Sequence, residues 1–545
     1  MSKSPVTAIT LARIAASLPG LRVKVHLLWQ GIRVARMNWE NVLDLPKAAD
    51  NVRSEFVGDW HRDPWGWPEL AFVLKQEPNL VFDNLNTNGC RRAALIDVPK
   101  ENWGSRPAVV LDILDRLTYQ ALVDRLSVNL IGSMSPNVYG WRLPPRDPEP
   151  GHFSHNNLQW DGYRNYLGRC AAWFDVALRS DIVSFFASVS LNLVKDGLDD
   201  RAPQNAVSRR LVSLLEGFER IPERTGLPQR STASAVLANM VMAPIDDVLQ
   251  HHALDLPTLL MFPEDPPRRS FARWMDDVWL FGEDPAHARR AQTELQNVSR
   301  SLGLNLNSAK TEFFEGDAVW ENAREIEHSA VDGALIQRND AQPLEELIDH
   351  LLDHPAEASR TSLKFVAKRM REHNNTYRVE DFIAQANRMP HAADALAKLF
   401  KVAFRSPILQ EWFLDYARSD WASFQWSVGQ YARMFPSRRR AQKVIRDFFS
   451  EVVADPHSSL PLLAVAANRL AAWDPSEARA VIHAAIASMS HPHSKRVLAL
   501  AALQAKEPRA TVRKWLRQED ENDLTLRMLL HYNFVPPKVS ADFAN

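Results

Sequence analysis

The chain has 545 residues, room for two to four domains, and its 46% apolar content is enough for a sizeable core. A formal charge of −1 excludes a global basic field, so any nucleic-acid contact must be a local patch. The two cysteines, Cys90 and Cys170, exclude a disulfide framework and a structural zinc site, and no window approaches the ~20 apolar residues of a membrane span.

Residues 1–90 read as mixed and mainly helical, with a Trp/Pro-rich knot at "DWHRDPWGWPEL". The opening "MSKSPVTAITLARIAASLPGLRVKV" lacks the uninterrupted apolar core of a signal peptide, so a soluble, cytoplasmic protein is expected. A strand is expected over Arg92 to Val98, a turn at Asn102 to Gly104, and a second strand over Pro107 to Leu111. A helix follows from Ile113, where Leu114, Leu117, Ala121, Leu122 and Leu126 recur at helical spacing. "LPPRDPEPGHFSHNN" is a loop. "WFDVALRSDIVSFF" starts as a strand near Asp181, with helical sequence to about Glu219. "RTGLPQRSTASAVLANMVMAPIDDVL" is a turn running into a small-residue helix. Residues 271–281 form a strand pair, followed by a helix, a stop at Gly303 and another strand. From about residue 340 glycine almost vanishes, and apolar residues recur at three and four spacing in a dozen short segments. One of them, "DPSEARAVIHAAIA", carries a capping box, with Asp474 at the N-cap, Pro475 at N1 and Glu477 at N3. This texture suggests paired helices resembling an α-solenoid, without a strict repeat period. Of the 17 tryptophans, some could serve as stacking surfaces; most are expected in the core.

The stretch "FARWMDDVWLF" sets Asp276 and Asp277 in an almost wholly apolar run. Buried unpaired carboxylates are costly, so something must balance them. Arg273 is near, but an extended strand would point it elsewhere. The alternative is a metal ion held by a hairpin that presents two acids at its tip. Alone, Asp181 could equally be a helix N-cap.

Four segments occur in a telling order: "SDIVSFFASV" with Asp181, "GLPQRSTASAVLAN", "RWMDD" and "GLNLNSAKT" with Lys310. They resemble the A, B, C and D motifs of the reverse-transcriptase palm. Upstream, "SRPAVVLDILDRLTYQALVDRL" and "VYGWR" resemble the fingers of bacterial retron and group II intron enzymes. The resemblance covers roughly residues 90–315. It implies an α+β fold: a mainly helical segment 1–90, reverse-transcriptase fingers and palm over 91–330, and a HEAT-like helical domain over 331–545. It also implies nucleotidyl transfer with two divalent ions, magnesium first and manganese as an alternative, bridged by Asp181 and Asp276. Asp277 would be a third acid with a less direct role, and metal and triphosphate, not a side chain, would balance the buried charge. Phe186 would be the steric gate that excludes a 2′-hydroxyl, with Phe185 and Phe186 otherwise both core. Gln229 would line the nucleotide pocket. Lys310 would protonate the leaving group or lie on the surface. Arg106, and more weakly Lys100, would contact phosphate from the fingers.

Three features depart from an ordinary reverse transcriptase. Arg230 replaces the usual "PQG" glycine, Trp274 replaces the usual Tyr or Phe before the acids, and a long helical region takes the place of a thumb. That architecture resembles the abortive-infection (Abi) polymerases of bacteria and their prophages. It implies antiviral defence through untemplated DNA synthesis from dNTPs, primed on the protein itself and leaving the DNA covalently attached. It also implies a homo-oligomer, with a trimer first among the options. The competing readings are an RNA-templated reverse transcriptase with a bound RNA, and an inactive palm serving as a scaffold. "SLKFVAKRMREH" and "FPSRRRAQKVIR" could bind RNA backbone but equally suit a solvated helix face. Tyr119, Tyr139, Tyr163 and Tyr166 read as structural, which leaves Tyr377, Tyr416, Tyr431 and Tyr532 as candidate priming hydroxyls.

Overall fold

The computed structural model describes residues 38–221, 226–256, 268–324 and 340–531, with positions 328, 331–332 and 334–335 between them. The chain divides at Val42/Leu43 into two units, and the following concerns the second. Three helices open it: α1 (Leu45–Glu55), α2 (Pro68–Gln76) and α3 (Pro78–Leu85). An antiparallel hairpin follows, β1 (Ala94–Pro99) with β2 (Ser105–Val110). Its turn is a single 3-10 turn, Glu101–Trp103. Arg92, expected to begin the first strand, instead binds Glu519 and Glu521 at 2.6 and 2.9 Å.

Helix α4 (Ile113–Ile131) is capped by Asp112, whose carboxylate accepts from Leu114 N at 2.9 Å. It is buried on nearly every side, which is why its apolar residues do not form one stripe. Around it lie α1, α3, α7 (Leu191–Arg201), α8 (Ala206–Glu219) and α9 (Thr232–Val241). The expected helical run to Glu219 thus forms, preceded by the short α6 (Phe185–Ser188).

The central sheet runs in the order β3-β5-β6-β4-β7. These strands are β3 (Val138–Tyr139), β4 (Val176–Ser180), β5 (Phe271–Trp274), β6 (Asp277–Gly282) and β7 (Glu312–Glu315). Only the β3–β5 pairing is parallel. Along β6, Trp279 and Phe281 share a face and pack with Ala177, Phe314 and the buried Tyr163 and Cys170 of α5 (Asn156–Ala171). Helix α12 (Asp317–Ala323) adds Val319 and Ala323 to the same cluster. Helix α11 (Pro285–Ser301) packs on β4 and β6, and α10 (Ala243–His252) packs on α11. Gly303, at φ +68°, ends the α11 segment as its left-handed stop.

Helices continue from α13 (Gln342–Asp353) and α14 (Arg360–Glu372) through α15 (Val379–Ala384), α16 (Ala393–Ala403), α17 (Ser406–Ala417) and α18 (Gln425–Ala432). Then come α19 (Lys443–Ala454), α20 (Leu460–Trp473), α21 (Pro475–Ala485), α22 (Pro492–Gln504), α23 (Arg509–Leu516) and α24 (Asp523–His531). Packing runs α14 on α16 on α18 on α20 on α22, with α19 and α21 beside α20. The run does not stand apart from the rest: α18 packs on β1, and α24 packs on α2. Asp474 caps α21 by accepting from Glu477 N at 3.2 Å. The reciprocal half of the expected capping box is replaced, because the Glu477 carboxylate accepts from Ser450 Oγ at 2.7 Å. Among the described residues no single helix is long and apolar enough to cross a membrane.

Candidate active site

Strand β4 ends at Ser180, so Asp181 stands just past the sheet's edge. Its carbonyl accepts from Asn307 N at 2.7 Å, and its carboxylate accepts from Asn307 Nδ2 at 3.3 Å. Lys310 Nζ lies 3.4 Å from the same carboxylate. Asp276 occupies the two-residue turn between β5 and β6, where Met275 takes φ 56°. Asp181 and Asp276 line one cavity of about 540 Å³. Burial, and next the charge of Asp181, push the Asp276 carboxyl up to about 7.

Strand parity decides where Asp277 goes. It is the first residue of β6 and shares the face of Trp279 and Phe281, toward α5. There it accepts from Tyr163 Oη at 2.9 Å and from Arg179 Nε at 3.2 Å. Arg179 also lies over the Trp279 ring, 5.4 Å from its centroid. Side chains therefore balance Asp277, which corrects the expectation that metal and triphosphate alone would. Arg273 does point away, as expected of a strand. It is fully buried and bonds Asp246 at 2.6 and 2.8 Å, Asn239 and the Met275 carbonyl.

The remaining pair, Asp181 and Asp276, fits a divalent cation. Both are hard oxygen donors, they face one cavity, and the charge of Asp181 disfavours that of Asp276. No group of three or more His, Cys, Asp or Glu poised for a metal occurs among the described residues.

Phe186, Gln229, Arg106, Lys100 and Lys310 line the same cavity. Phe185 also lines the cavity but is buried at 3% exposure, whereas Phe186 is partly open, and the two ring centroids lie 5.5 Å apart. Phe186 is held by its backbone: its carbonyl accepts from Leu227 N at 2.7 Å. That closeness requires glycine at 226, where φ is +69° and a Cβ would sit 2.0 Å from Phe186 O. Lys100 Nζ donates to Ser184 Oγ at 3.2 Å; burial, then Arg106, lower its pKa. Burial and then Arg360 lower that of Arg106.

The sequence departures have physical consequences. Arg230 adopts φ 59°, a left-handed conformation glycine takes freely, and its guanidinium lies 4.5 Å from the Trp60 ring centroid. Trp274 packs among Trp160, Tyr163 and Trp141 at 4.9, 5.8 and 6.1 Å.

The tyrosines of the C-terminal helices do not line this cavity. Tyr416 and Tyr431 are core residues, stacked with Trp412 and Phe400, and burial raises both phenol pKa values. Tyr377 bonds both Asp349 oxygens at 3.1 Å. These positions count against all three as priming hydroxyls; Tyr532 lies outside the described residues.

Sequence reasoning missed Tyr163, Arg179, Trp60 and Arg360. Parity along β4 and β6 could have found Arg179; Arg360 carries no local signal, because it reaches the cavity region from α14. The basic stretch keeps Lys364 43% exposed, as a solvated face would, with Asp394 3.7 Å away. Partial burial, offset by Asp394 and reinforced by Arg360, lowers it to about 8.

Residues 98–365 match the family model described as Reverse transcriptase (RNA-dependent DNA polymerase). No curated protein matches the chain.

Proposed function

We propose that the reverse-transcriptase domain at residues 98–365 makes DNA from dNTPs in bacterial antiviral defence, without a template and primed on the protein itself. The polymerase part of this reading is carried by one observation: Asp181 and Asp276 meet in a cavity that also presents Phe186, Gln229 and three cations, Lys100, Arg106 and Lys310. The carboxylates would hold divalent ions, magnesium first, which polarise the phosphoryl group and activate the attacking oxygen. Phe186 would close the space a 2′-hydroxyl needs, Gln229 would orient the base and sugar, and Lys100 and Arg106 would hold triphosphate oxygens. Lys310, beside Asp181, would supply a proton to the leaving group. Asp277 would act indirectly, fixing the hairpin through Tyr163 and Arg179.

The defence, priming and oligomer parts are supported by resemblance: a reverse-transcriptase domain followed by a long helical run, read as HEAT-like repeats, in place of a thumb. The priming residue is to be sought at the cavity, where serine hydroxyls such as Ser105 and Ser231 lie, and not among the buried tyrosines. The test is a denaturing gel of pure protein with labelled dNTPs and magnesium, without template or primer, before and after protease. Protease-sensitive ladders are expected. Synthesis only with an added RNA template and primer would establish the conventional reaction instead, and no synthesis under either condition would leave the scaffold.

A further inference from the structure

Trp60 comes from the Trp/Pro-rich knot before α2, is 4% exposed, and has three guanidinium groups around its ring. Arg230, Arg360 and Arg106 lie 4.5, 4.6 and 5.3 Å from its centroid. Each arrives from a different part of the chain: the motif preceding α9, the first turn of α14, and β2. Arg62 and Lys364 add two further cations, and both meet the Asp394 carboxylate that binds Arg360 at 3.0 Å. Against these stand Asp394, Glu101, Asp59 and, acting on Arg106, Asp276, and Asp59 is already held by Arg116 at 2.6 Å. Positive charge is therefore in excess. Arg230 itself stays exposed, and burial of its surroundings and then Arg360 and Arg106 lower it to about 10. The Nε atoms of Arg106 and Arg360 are buried without hydrogen-bond partners. Like charges gathered at such cost are stabilised by an oxyanion that accepts from several guanidinium forks at once.

We propose that Arg230 and Arg360, held against Trp60, form a phosphate-binding station for single-stranded nucleic acid at the rim of the carboxylate cavity, which Trp60 and Arg230 also line. The class of ligand rests on the polymerase reading above. A strand is favoured over a free phosphate by what lies beside the station. Glu101 accepts from Arg360 N at 3.3 Å, and Asn102 N donates to Ala356 O at 2.8 Å, so the β1–β2 turn is docked on the α14 entrance. That turn carries Trp103, 45% exposed, near-parallel to the 46% exposed Trp421 at 6.2 Å. Exposed indoles beside a basic station offer bases a stacking surface, which a free phosphate would not use.

The test measures binding and needs no turnover. A fluorescein-labelled oligothymidylate is titrated with the full-length protein by anisotropy over a salt series, with dTTP and inorganic tripolyphosphate binding measured in parallel. Arg230→Gln and Arg360→Gln are each expected to weaken oligonucleotide binding about 5- to 20-fold and to lower the salt slope by about one, with dTTP and tripolyphosphate affinity weakened less. Arg→Lys at either position should retain the slope, and melting curves should match the wild type. Unchanged oligonucleotide binding in folded variants overturns the proposal. So does a loss confined to dTTP and tripolyphosphate, which would make the station part of the nucleotide site. The polymerase reading survives either result if dNTP incorporation persists.

Discussion

Asp276, proposed above as a cation ligand, carries a cost for the fold. Burial, and next the charge of Asp181, push its carboxyl up to about 7 in the folded chain, against 3.8 as the ordinary value. The folded chain thus keeps a proton that the unfolded chain has already lost. The penalty is absent below about pH 4, grows as pH rises toward 7, and is complete above it. Asp276→Asn removes the charge. In EDTA the variant should therefore be more stable than the wild type at pH 8, by about 1 to 2 kcal/mol, and equally stable at pH 4. Melting curves across that range check this; a difference that does not change with pH would assign the effect to packing. Asp277 behaves differently because Tyr163 and Arg179 already hold it. Asp277→Asn should keep part of the incorporation activity, losing about 10- to 100-fold, whereas Asp276→Asn should lose about a thousandfold or more. Equal losses in steady-state assays would move Asp277 into direct contact with the cation. Phe186→Val should admit ribonucleotides, read as the ratio of rATP to dATP incorporation; an unchanged ratio in an active variant would place the gate elsewhere.

Among the elements, the junction of the turn at 226–230 with the start of α6 is the most exacting. Gly226→Ala would drive a Cβ into Phe186 O and strain a left-handed residue. A destabilisation of more than about 3 kcal/mol is expected by urea denaturation, with loss of activity. A stable, active variant would show that the turn can move independently of Phe186. This junction also marks what was legible in the sequence. Strands β1, β2, β4, β5, β6 and β7, and helices α4, α7 to α9 and α11, follow from local periodicity and turn chemistry, as do Asp181 past the end of β4 and Asp276 in the β5–β6 turn; β3 and α5 were not expected. The direction of Asp277 was available from parity but required knowing which face α5 covers. Arg360 and Trp60 were not legible, since residues 300 apart in sequence meet only through tertiary packing, which no local pattern encodes. The Tyr416 and Tyr431 hydroxyls misled for a related reason: an isolated aromatic at helical spacing reads the same whether it faces solvent or core.

At the scale of the molecule, the C-terminal helices are bound into the polymerase part. Arg496 of α22 is buried between Asp63 and Glu69, at 3.0 and 2.7 Å. Trp426 of α18 donates to the Trp60 carbonyl at 3.0 Å, and Trp65 donates to Gln504 at 3.0 Å. Removing one partner from such a buried network strands the others. Arg496→Met should cost about 3 to 5 kcal/mol, measured by chemical denaturation. For the same reason a fragment ending at residue 330 should be insoluble or inactive; a soluble, fully active fragment would make the helical run an appendage. The central claim, that Asp181 and Asp276 form a deoxynucleotide-polymerising site, is tested most directly by incorporation of labelled dNTPs with magnesium by the full-length protein, beside Asp181→Asn and Asp276→Asn. Synthesis by the wild type and none above background in either folded variant is the predicted result. Comparable synthesis by either variant would contradict it.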